Sequence, residues 1–434
     1  MRMVATIIVA ALAFGQTAED VAAARADYVT YGSTARYVTL SPIPEDERAG
    51  ALQSLRFWLP HLSREIVLEH QLPQRVTDTV YRLDYDLLGW GHKGWLAVSR
   101  DYPYQQYTGH VHDALMVRAD WLLFETADAS RSTLYYELLL GTVPKNKGEF
   151  LKVFGISGAV DPLAQRVVID EGRSGVSLQA RLMEIRDEKS RTFSQTFDAL
   201  ESSEDSDPTE QLAGGLDFDA QELIVSMPKL DLRSGARGVA QAYLLLDGAG
   251  NRVDIADSRV VVDHSEFLDV PQIRTPGSCV MCHQTGLNAP AQNLVRDWIA
   301  EGVEITAKEK GLQQQLEAFF LGDVGRVVAR NNEDFTAFVD AACGCEPLAA
   351  VQQYRSTVEV YDLPLTLEIA AIEMYCTEEE LTRAIAIYSE RVGPAERTAR
   401  LSSLAHGFPV PRAAWEKGVY FQCRAAVAQL NASQ

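Results

Sequence analysis

The residues of this chain best suited to chemistry are two cysteines and a histidine in the run Ser278-Cys279-Val280-Met281-Cys282-His283. Two thiols separated by two residues can reach the two vinyl groups on one edge of a haem and form thioether bonds. The adjacent imidazole can then bind the iron as an axial ligand. Because the chain has 6 Cys and 8 His, such a run is expected by chance only on the order of 0.002 times. The spacing therefore indicates a covalent site for one haem c, with Cys279 and Cys282 as anchors and His283 as the proximal ligand.

A zinc site, or a pair of bare thiols, is the alternative interpretation of the same run. A C-x-x-C pair with a nearby His also suits tetrahedral zinc. A structural zinc site of this kind needs a second ligand pair at similar spacing. Cys343-Gly344-Cys345 is the only other cysteine cluster in the sequence, and its one-residue gap does not suit a zinc site. The haem interpretation is favoured.

The segment after the motif does not supply a second axial ligand. Between Gln284 and Glu373 the sequence has neither His nor Met, so a distal ligand has to come from farther away or be absent. We favour His264, which lies on the segment that leads into the motif. For any single His or Met, an ordinary surface or core position is the competing interpretation. The other residues within reach in principle are His92, His110, His112, Met227, Met374 and His406.

The first residues of the chain are typical of an export signal. Arg2 provides a positive n-region, Val4 to Gly15 form an apolar run, and Ala13-Phe14-Gly15 supplies small residues for cleavage. We therefore expect residues 1–18 to be a signal peptide and the protein to be periplasmic or secreted. A buried N-terminal helix is the alternative. No later stretch reaches about 18 apolar residues without a charge, so we expect no transmembrane segment in the mature chain.

Composition narrows the range of partners. The 434-residue chain has a net charge of −20. Phosphate binding needs a basic stripe, so this charge argues against nucleic acid and against anionic membrane surfaces. A redox partner protein with a basic surface suits the charge better, and simple solubility is the other explanation. The sequence does not indicate the oligomeric state.

Four cysteines lie outside the motif, and all of them follow it: Cys343, Cys345, Cys376 and Cys423. In an oxidising compartment an even number of remaining cysteines favours one or two disulfides. The sequence does not determine how they pair. Such bonds would tie the C-terminal helices together.

The pattern of secondary-structure signals changes near residue 270. Before this point, alternating apolar residues predict strands at 36–40, 80–85, 223–226 and 239–246, with a glycine- and aromatic-rich loop at 89–95. After Pro271 the signals are helical, and Thr377 and Glu380 form a capping box. A chain of this length favours two domains. We therefore expect an α+β domain over residues 27–270, followed by an all-α, cytochrome c-like domain over residues 271–434.

Several short stretches of the chain, in the order in which they occur, resemble exported bacterial proteins that carry one C-x-x-C-H motif between an α+β domain and a helical tail. Only the C-x-x-C-H motif is specific by itself. The other stretches support the resemblance because they occur in the same order. Members of this group look like c-type cytochromes, so the resemblance implies haem binding and electron transfer, without indicating a substrate or catalytic residues. The matching stretches are 37–40 with 44–48, 88–90, 118–121, 134–139, 240–245, 247–252 and 278–283.

Together these features predict a periplasmic mono-haem c-type cytochrome that acts as an electron carrier or redox subunit. A haem-dependent oxidoreductase, such as a peroxidase with an open distal face, is a second hypothesis. Known di-haem peroxidases need two C-x-x-C-H motifs, and this sequence has one. A haem-containing binding or sensing module is a third hypothesis, because an N-terminal domain of about 240 residues exceeds what a simple carrier requires. The sequence has no Gly-x-Ser-x-Gly elbow, P-loop or dinucleotide fingerprint.

Overall fold

A computed structural model describes residues 17–68, 73–104, 113–156, 165–169, 181–188, 191–198, 220–231, 235–290, 293–301, 322–392 and 399–432. The predicted signal peptide over residues 1–18 therefore lies almost entirely outside the described residues. The same is true of His110 and His112, two of the candidate distal ligands.

The described ranges combine α-helices with two β-sheets. The helices are α1 (Ala18–Tyr31), α2 (Arg48–Trp58), α3 (Gly91–Asp101), α4 (Ala119–Glu125), α5 (Leu134–Leu140), α6 (Lys147–Val153), α7 (Gly277–Cys282), α8 (Leu294–Glu301), α9 (Val324–Cys343), α10 (Pro347–Asp362), α11 (Leu367–Met374), α12 (Glu378–Val392), α13 (Ala399–Ala405), α14 (Arg412–Ala414) and α15 (Tyr420–Ala432). The strands are β1 (Ala35–Thr39), β2 (Val67–Leu68), β3 (Gln74–Arg75), β4 (Val80–Asp84), β5 (Met116–Arg118), β6 (Gln165–Ile169), β7 (Arg181–Glu188), β8 (Arg191–Asp198), β9 (Ala220–Asp231), β10 (Arg237–Asp247) and β11 (Arg252–Val253). Short 3₁₀ turns lie at Leu59–Leu62 and Phe267–Asp269, and a π-helical turn lies at Trp415–Val419. No helix in these ranges is both long enough and apolar enough to cross a membrane.

The chain is thus an α+β protein with a helical C-terminal region, as the sequence predicts. It forms two compact units, each assembled from separate stretches. The terminal unit takes the described parts of 1–56, 71–124 and 356–434, and the central unit takes those of 57–70 and 125–355. β11 is the last strand in the described ranges, so the change to helices near residue 270 is present. The compact units, however, are not separated at that point, because the helices beyond 356 group with the N-terminal strands.

The terminal unit is organised around a sheet that has four strands within the described ranges, in the order β3-β4-β1-β5. Strand β1 pairs antiparallel with β4 and parallel with β5. Helix α1 covers this sheet with Val21 and Ala24, which pack against Tyr37 and Val80. Tyr37 and Val80 are both fully buried, and this apolar contact fixes the helix on the sheet.

The predicted loop over residues 89–95 is wrong from Gly91 onward, because α3 begins there. Gly89 and Gly91 have positive φ angles of 72° and 60° and make the turn that enters the helix. Trp95 and Val98 then lie three residues apart on one buried face. The aromatic residues that suggested a loop are therefore the packing face of a helix.

A buried ion-pair network joins the first and last parts of the terminal unit. Arg118, at the end of β5, contacts Asp120 at 2.6 Å and Glu373 of α11 at 2.8 Å. Glu373 also binds Arg412 at 2.7 Å and accepts a hydrogen bond from Nε1 of Trp415 at 2.8 Å. Burial by itself raises the pKa of Glu373, but Arg118 and Arg412 outweigh it and lower the pKa. The C-terminal helices are thereby anchored to the N-terminal strands.

Replacing Glu373 by Ala should destabilise the terminal unit by about 3 to 5 kcal/mol, because two buried guanidinium groups lose their shared carboxylate. Equilibrium urea unfolding measures this loss. Glu379→Ala, at an exposed position of α12, is the matched control and should cost far less. Equal losses in the two variants would contradict a structural role for the network.

The central unit is built on a larger sheet in the order β11-β10-β9-β8-β7-β6. Strand β2 pairs with the C-terminal end of β9. The pairings along this path are antiparallel, and β9 and β10 pair in continuous register from Ala220–Asp247 to Leu230–Arg237. Helix α9 packs against β10 so closely that a Cβ atom at Gly238 would lie 2.2 Å from the carbonyl oxygen of Asp334. Glycine at this position therefore permits the helix to lie on the sheet.

The central unit also buries a neutral histidine that the sequence analysis did not single out. The His61 side chain is fully buried, its Nδ1 lies 2.9 Å from the carbonyl oxygen of Phe57, and its ring stacks on Trp58. Burial, with a smaller contribution from nearby Lys229, lowers the pKa of His61 to about 3. Nε2 has no hydrogen-bond partner. Protonation at this site would thus place an unpaired charge in the core.

His61 should make the central unit sensitive to acid. Between about pH 6.5 and pH 3, the unfolded chain binds a proton at this residue that the folded chain does not. The free energy of unfolding should therefore decrease as the pH falls through this window. His61→Phe should weaken that pH dependence, whereas His406→Phe, at an exposed position, should leave it unchanged. Urea unfolding as a function of pH measures the effect, and parallel curves for wild type and His61→Phe would contradict it.

One disulfide is present among the described cysteines, between Cys343 and Cys345 at the end of α9. Cys376 and Cys423 are free thiols. The disulfide agrees with the prediction of one or two such bonds, but it closes a ring of three residues and does not tie separate helices together. Because both its sulfurs are bonded to each other, they are not free to act as the second ligand pair of a zinc site.

Candidate functional site

The motif begins on a short helix, α7, which the preceding chain holds in place. The amide of Gly277 donates a hydrogen bond to the carbonyl of Ala127 at 2.9 Å, and Arg274 forms an ion pair with Asp128 at 2.8 Å. A Cβ atom at Gly277 would lie 2.7 Å from the Ala127 oxygen and 2.1 Å from the ring of Phe267. The absence of a side chain therefore allows α7 to lie directly on residues 127–128.

Both motif cysteines are free thiols in a buried environment. Cys279 is 1% exposed and Cys282 is half-buried. Burial and the carboxylate of Glu222 raise the pKa of Cys279 well above its usual value, and the same two causes raise the pKa of Cys282 to about 11. The Asn288 side-chain amide donates to the sulfur of Cys282 at 3.6 Å. At neutral pH both sulfurs therefore retain their protons.

The imidazole of His283 follows α7 and is 7% exposed. Its Nδ1 lies 3.1 Å from the carbonyl oxygen of Gly286, and because a carbonyl only accepts, this nitrogen carries the hydrogen. Nε2 lies 3.6 Å from Oε1 of Glu222, which is beyond a normal hydrogen-bond length. In the neutral imidazole the lone pair is therefore on Nε2, and the carbonyl bond fixes the tautomer and the ring orientation.

The loop that carries the Gly286 carbonyl is held by one side chain of α9. Asn332 accepts a hydrogen bond from the amide of Leu287 at 2.7 Å and donates one to the carbonyl of Leu287 at 2.8 Å. Gly286 has a φ of 109°, and a Cβ atom there would lie 2.3 Å from Oδ1 of Asn332. A glycine is needed at this position by both the backbone angle and the close approach. Asn332 thereby positions the group that orients His283.

Glu222 enters the site from the central sheet. It lies on β9, opposite Thr196 of β8 and Leu245 of β10. Burial by itself raises its pKa, but the interactions with His283, with Arg181 and with the thiol of Cys279 outweigh burial and lower the pKa to about 2. Glu222 is therefore an ionised carboxylate held on a strand beside the motif. In the sequence, Glu222 is recognisable only as a single acidic residue directly before the apolar run Leu223-Ile224-Val225.

Asp263 is a second carboxylate near the motif cysteines. This carboxylate is buried and contributes to the raised pKa of both motif cysteines. Oδ1 accepts a hydrogen bond from the amide of Ser265 at 2.8 Å, while Oδ2 is buried without a hydrogen-bond partner. The neighbouring residue His264, which the sequence favours as a distal ligand, has an exposed side chain. On this segment Asp263, rather than His264, lies beside the motif.

The other candidate distal ligands are dispersed. Met227 is buried on β9 in the central unit. His92, Met374 and His406 belong to the terminal unit, where Met374 is buried and the two histidines are exposed. Within the central unit the structure brings together Cys279, Cys282 and His283.

The sulfurs of Cys279 and Cys282 and the imidazole of His283 are the groups that would hold a haem at this site. The two sulfurs are free thiols, and Nδ1 of His283 lies 3.1 Å from the carbonyl oxygen of Gly286. These two features suit thioether attachment and ligation of iron through Nε2. In the described ranges no group of three or more His, Cys, Asp or Glu side chains is arranged to hold a metal ion.

No protein-family model, curated protein or solved structure matches the chain. The resemblance to exported proteins with a single C-x-x-C-H motif therefore stays a prediction.

Gly277→Ala should displace α7 and destabilise the central unit by about 1 to 3 kcal/mol, because the backbone oxygen of Ala127 cannot move aside as the Phe267 ring can. Gly148→Ala is the matched control. Gly148 lies at an exposed position of helix α6, where the nearest atom to an added Cβ, Oδ1 of Asn146, is 3.4 Å away. That change should be neutral or stabilising by up to about 1 kcal/mol. Urea unfolding distinguishes the two, and a neutral Gly277→Ala would show that α7 is not held as described.

Proposed function

We propose that this chain is an exported mono-haem c-type cytochrome that transfers electrons to or from a redox partner protein. The observation that carries the proposal is the C-x-x-C-H run, in which both thiols are reduced and the imidazole is oriented through Nδ1. The cytochrome c-like arrangement of helices predicted for residues 271–434 stays part of this proposal. The net charge of −20 suits a partner with a basic surface.

Cys279 and Cys282 would hold the haem by adding their S–H groups across its two vinyl groups, so that each sulfur gains a carbon and each proton moves to the neighbouring carbon. The addition consumes no oxidant, and it needs thiols rather than a disulfide. Burial of both side chains favours this state, because a protonated thiol is less readily oxidised than a thiolate. When bound, the haem supplies one-electron chemistry at iron.

His283 would bind the iron through Nε2, with Gly286 and Asn332 as the residues that position it. A carbonyl that accepts from Nδ1 makes the imidazole a better donor and restricts its rotation. Attachment of haem to this motif takes place outside the cytoplasm. The proposal therefore includes export directed by the N-terminal residues.

A haem-containing binding or sensing module is the second candidate function. The observation that favours it is the carboxylate of Glu222, 3.6 Å from Nε2 of His283. No second His or Met of the described ranges occupies that position. A face that lacks a strong ligand leaves iron open to exchange with small molecules. Addition of cyanide or carbon monoxide to the purified protein separates the candidates, because a carrier with two strong ligands should not respond.

Production of the full chain in a host competent for cytochrome c maturation tests the proposed function. We expect one covalent haem per chain by the pyridine haemochrome assay and by haem staining on a denaturing gel. Cys279→Ala with Cys282→Ala should abolish the stain, whereas Cys376→Ser, which alters a free thiol outside the motif, should retain it. A colourless wild-type protein with the mass of the unmodified mature chain would contradict the proposal.

A further inference from the structure

We infer that the disulfide between Cys343 and Cys345 is a redox site that exchanges electrons with thiol groups of another molecule, and that it is not a structural crosslink. The co-reactant belongs to the chemical class of thiols. This activity goes beyond the proposed function and does not depend on haem, because both sulfurs lie outside the C-x-x-C-H motif.

The first argument is the size of the ring that the bond closes. A disulfide stabilises a fold chiefly by restricting the unfolded chain, and this effect increases with the number of residues in the closed loop. Cys343 and Cys345 are only two positions apart, and Cys343 is the last residue of α9. The bond therefore does not connect separate elements, and it restricts the unfolded chain less than a bond across a long loop does. Its reduction should cost the fold little.

The second argument is access to the bond from solvent. Gly344, between the two cysteines, is exposed and has a φ of 67°. In the part of the chain that the structure describes, a Cβ atom on Gly344 would have no atom beyond its chain neighbours within 4 Å. Cys345 is half-buried, and Glu346 beside it is exposed. The side of the ring that faces solvent is therefore open to an approaching thiolate, and Cys345 is the cysteine that the thiolate reaches.

The third argument is a hydrogen bond that only the reduced form can make. Cys343 is 7% exposed, and its Sγ lies 3.2 Å from the carbonyl oxygen of Val339, one turn earlier in α9. In the disulfide this sulfur carries no hydrogen and cannot donate. After reduction, the S–H group of Cys343 can donate to the Val339 carbonyl. An interaction made only in the reduced state makes a disulfide easier to reduce.

The exchange takes place in two steps. A thiolate attacks the sulfur of Cys345, a new S–S bond forms, and the bond to Cys343 breaks. The electron pair leaves with the sulfur of Cys343, which takes up a proton. A second thiolate then attacks the sulfur of the co-reactant in this mixed disulfide, and Cys345 leaves and takes up a proton. The protein has gained two electrons and two protons, and the co-reactant has become a disulfide.

Equilibration of the purified protein in buffers of reduced and oxidised glutathione tests the inference. The equilibrium is approached from the oxidised and from the reduced protein, thiols are blocked with iodoacetamide, and the tryptic peptide 331–355, in which Cys343 and Cys345 are the only cysteines, is analysed by mass spectrometry. Structural disulfides resist reduction by glutathione. We expect both cysteines to be alkylated together while the circular dichroism of the protein is unchanged. A bond that persists in glutathione until urea unfolds the protein would overturn the inference.

Two single variants test which sulfur is attacked. Cys343→Ser leaves Cys345 as a half-buried thiol, and Cys345→Ser leaves Cys343 as a buried thiol. The thiol of Cys345 should form a mixed disulfide with oxidised glutathione about tenfold faster than the thiol of Cys343, because thiol reactivity follows access to solvent. Equal rates, or a faster reaction at Cys343, would contradict attack at Cys345.

Urea unfolding of the oxidised and the reduced wild-type protein distinguishes a redox site from a crosslink without any substitution. The two midpoints should be nearly equal, because the bond closes so short a ring. Cys345→Ser, which cannot form the bond, is the matched control and shows any effect of the reductant elsewhere in the chain. A midpoint that falls on reduction in the wild type, but not in Cys345→Ser, would identify a structural crosslink and overturn the inference.

Discussion

The hydrogen bond between Nδ1 of His283 and the carbonyl of Gly286 determines what the motif can do. In the neutral imidazole it assigns the hydrogen to Nδ1 and leaves the lone pair on Nε2. The carbonyl is itself fixed, because Asn332 of α9 holds the following residue through both of its backbone groups. A flexible loop would let the imidazole rotate. Here the direction of Nε2 follows from a helix that lies on the central sheet.

The rest of the site is assembled from distant stretches that meet at α7. Residues 127–128 hold the start of the helix, β9 supplies Glu222, and the segment before the motif supplies Asp263. Burial and, to a smaller extent, the carboxylates of Glu222 and Asp263 raise the pKa of both thiols, so the sulfurs keep their protons.

Features with a local signal could be predicted from the sequence. Strand β4 alternates in burial from Tyr81 to Asp84, and the Thr377–Glu380 capping box spans one helical turn, with hydrogen bonds of 2.8 and 3.2 Å in the structure. The helical character of the C-terminal region follows from the same short-range periodicity. These features depend on neighbours along the chain, so the sequence alone specifies them.

The sequence did not predict features that depend on distant pairing. From the sequence, Glu222 is one acidic residue beside a predicted strand. The fold places its carboxylate 3.6 Å from Nε2 of His283. Likewise, the contacts of Glu373 with Arg118 group the last helices with the first strands, which no periodicity reveals. The helix at Gly91 was missed because glycines and aromatics suggest a loop, although here the glycines form a turn and the aromatics pack.

Proteolysis of the mature protein, followed by tandem mass spectrometry of the peptide that spans Ser278–His283, tests the central claim most directly. Covalent attachment predicts a peptide whose mass exceeds that of its residues by one haem, with fragment ions that place the addition on both cysteines. An unmodified peptide, or one in which Cys279 and Cys282 are joined to each other, would contradict the claim.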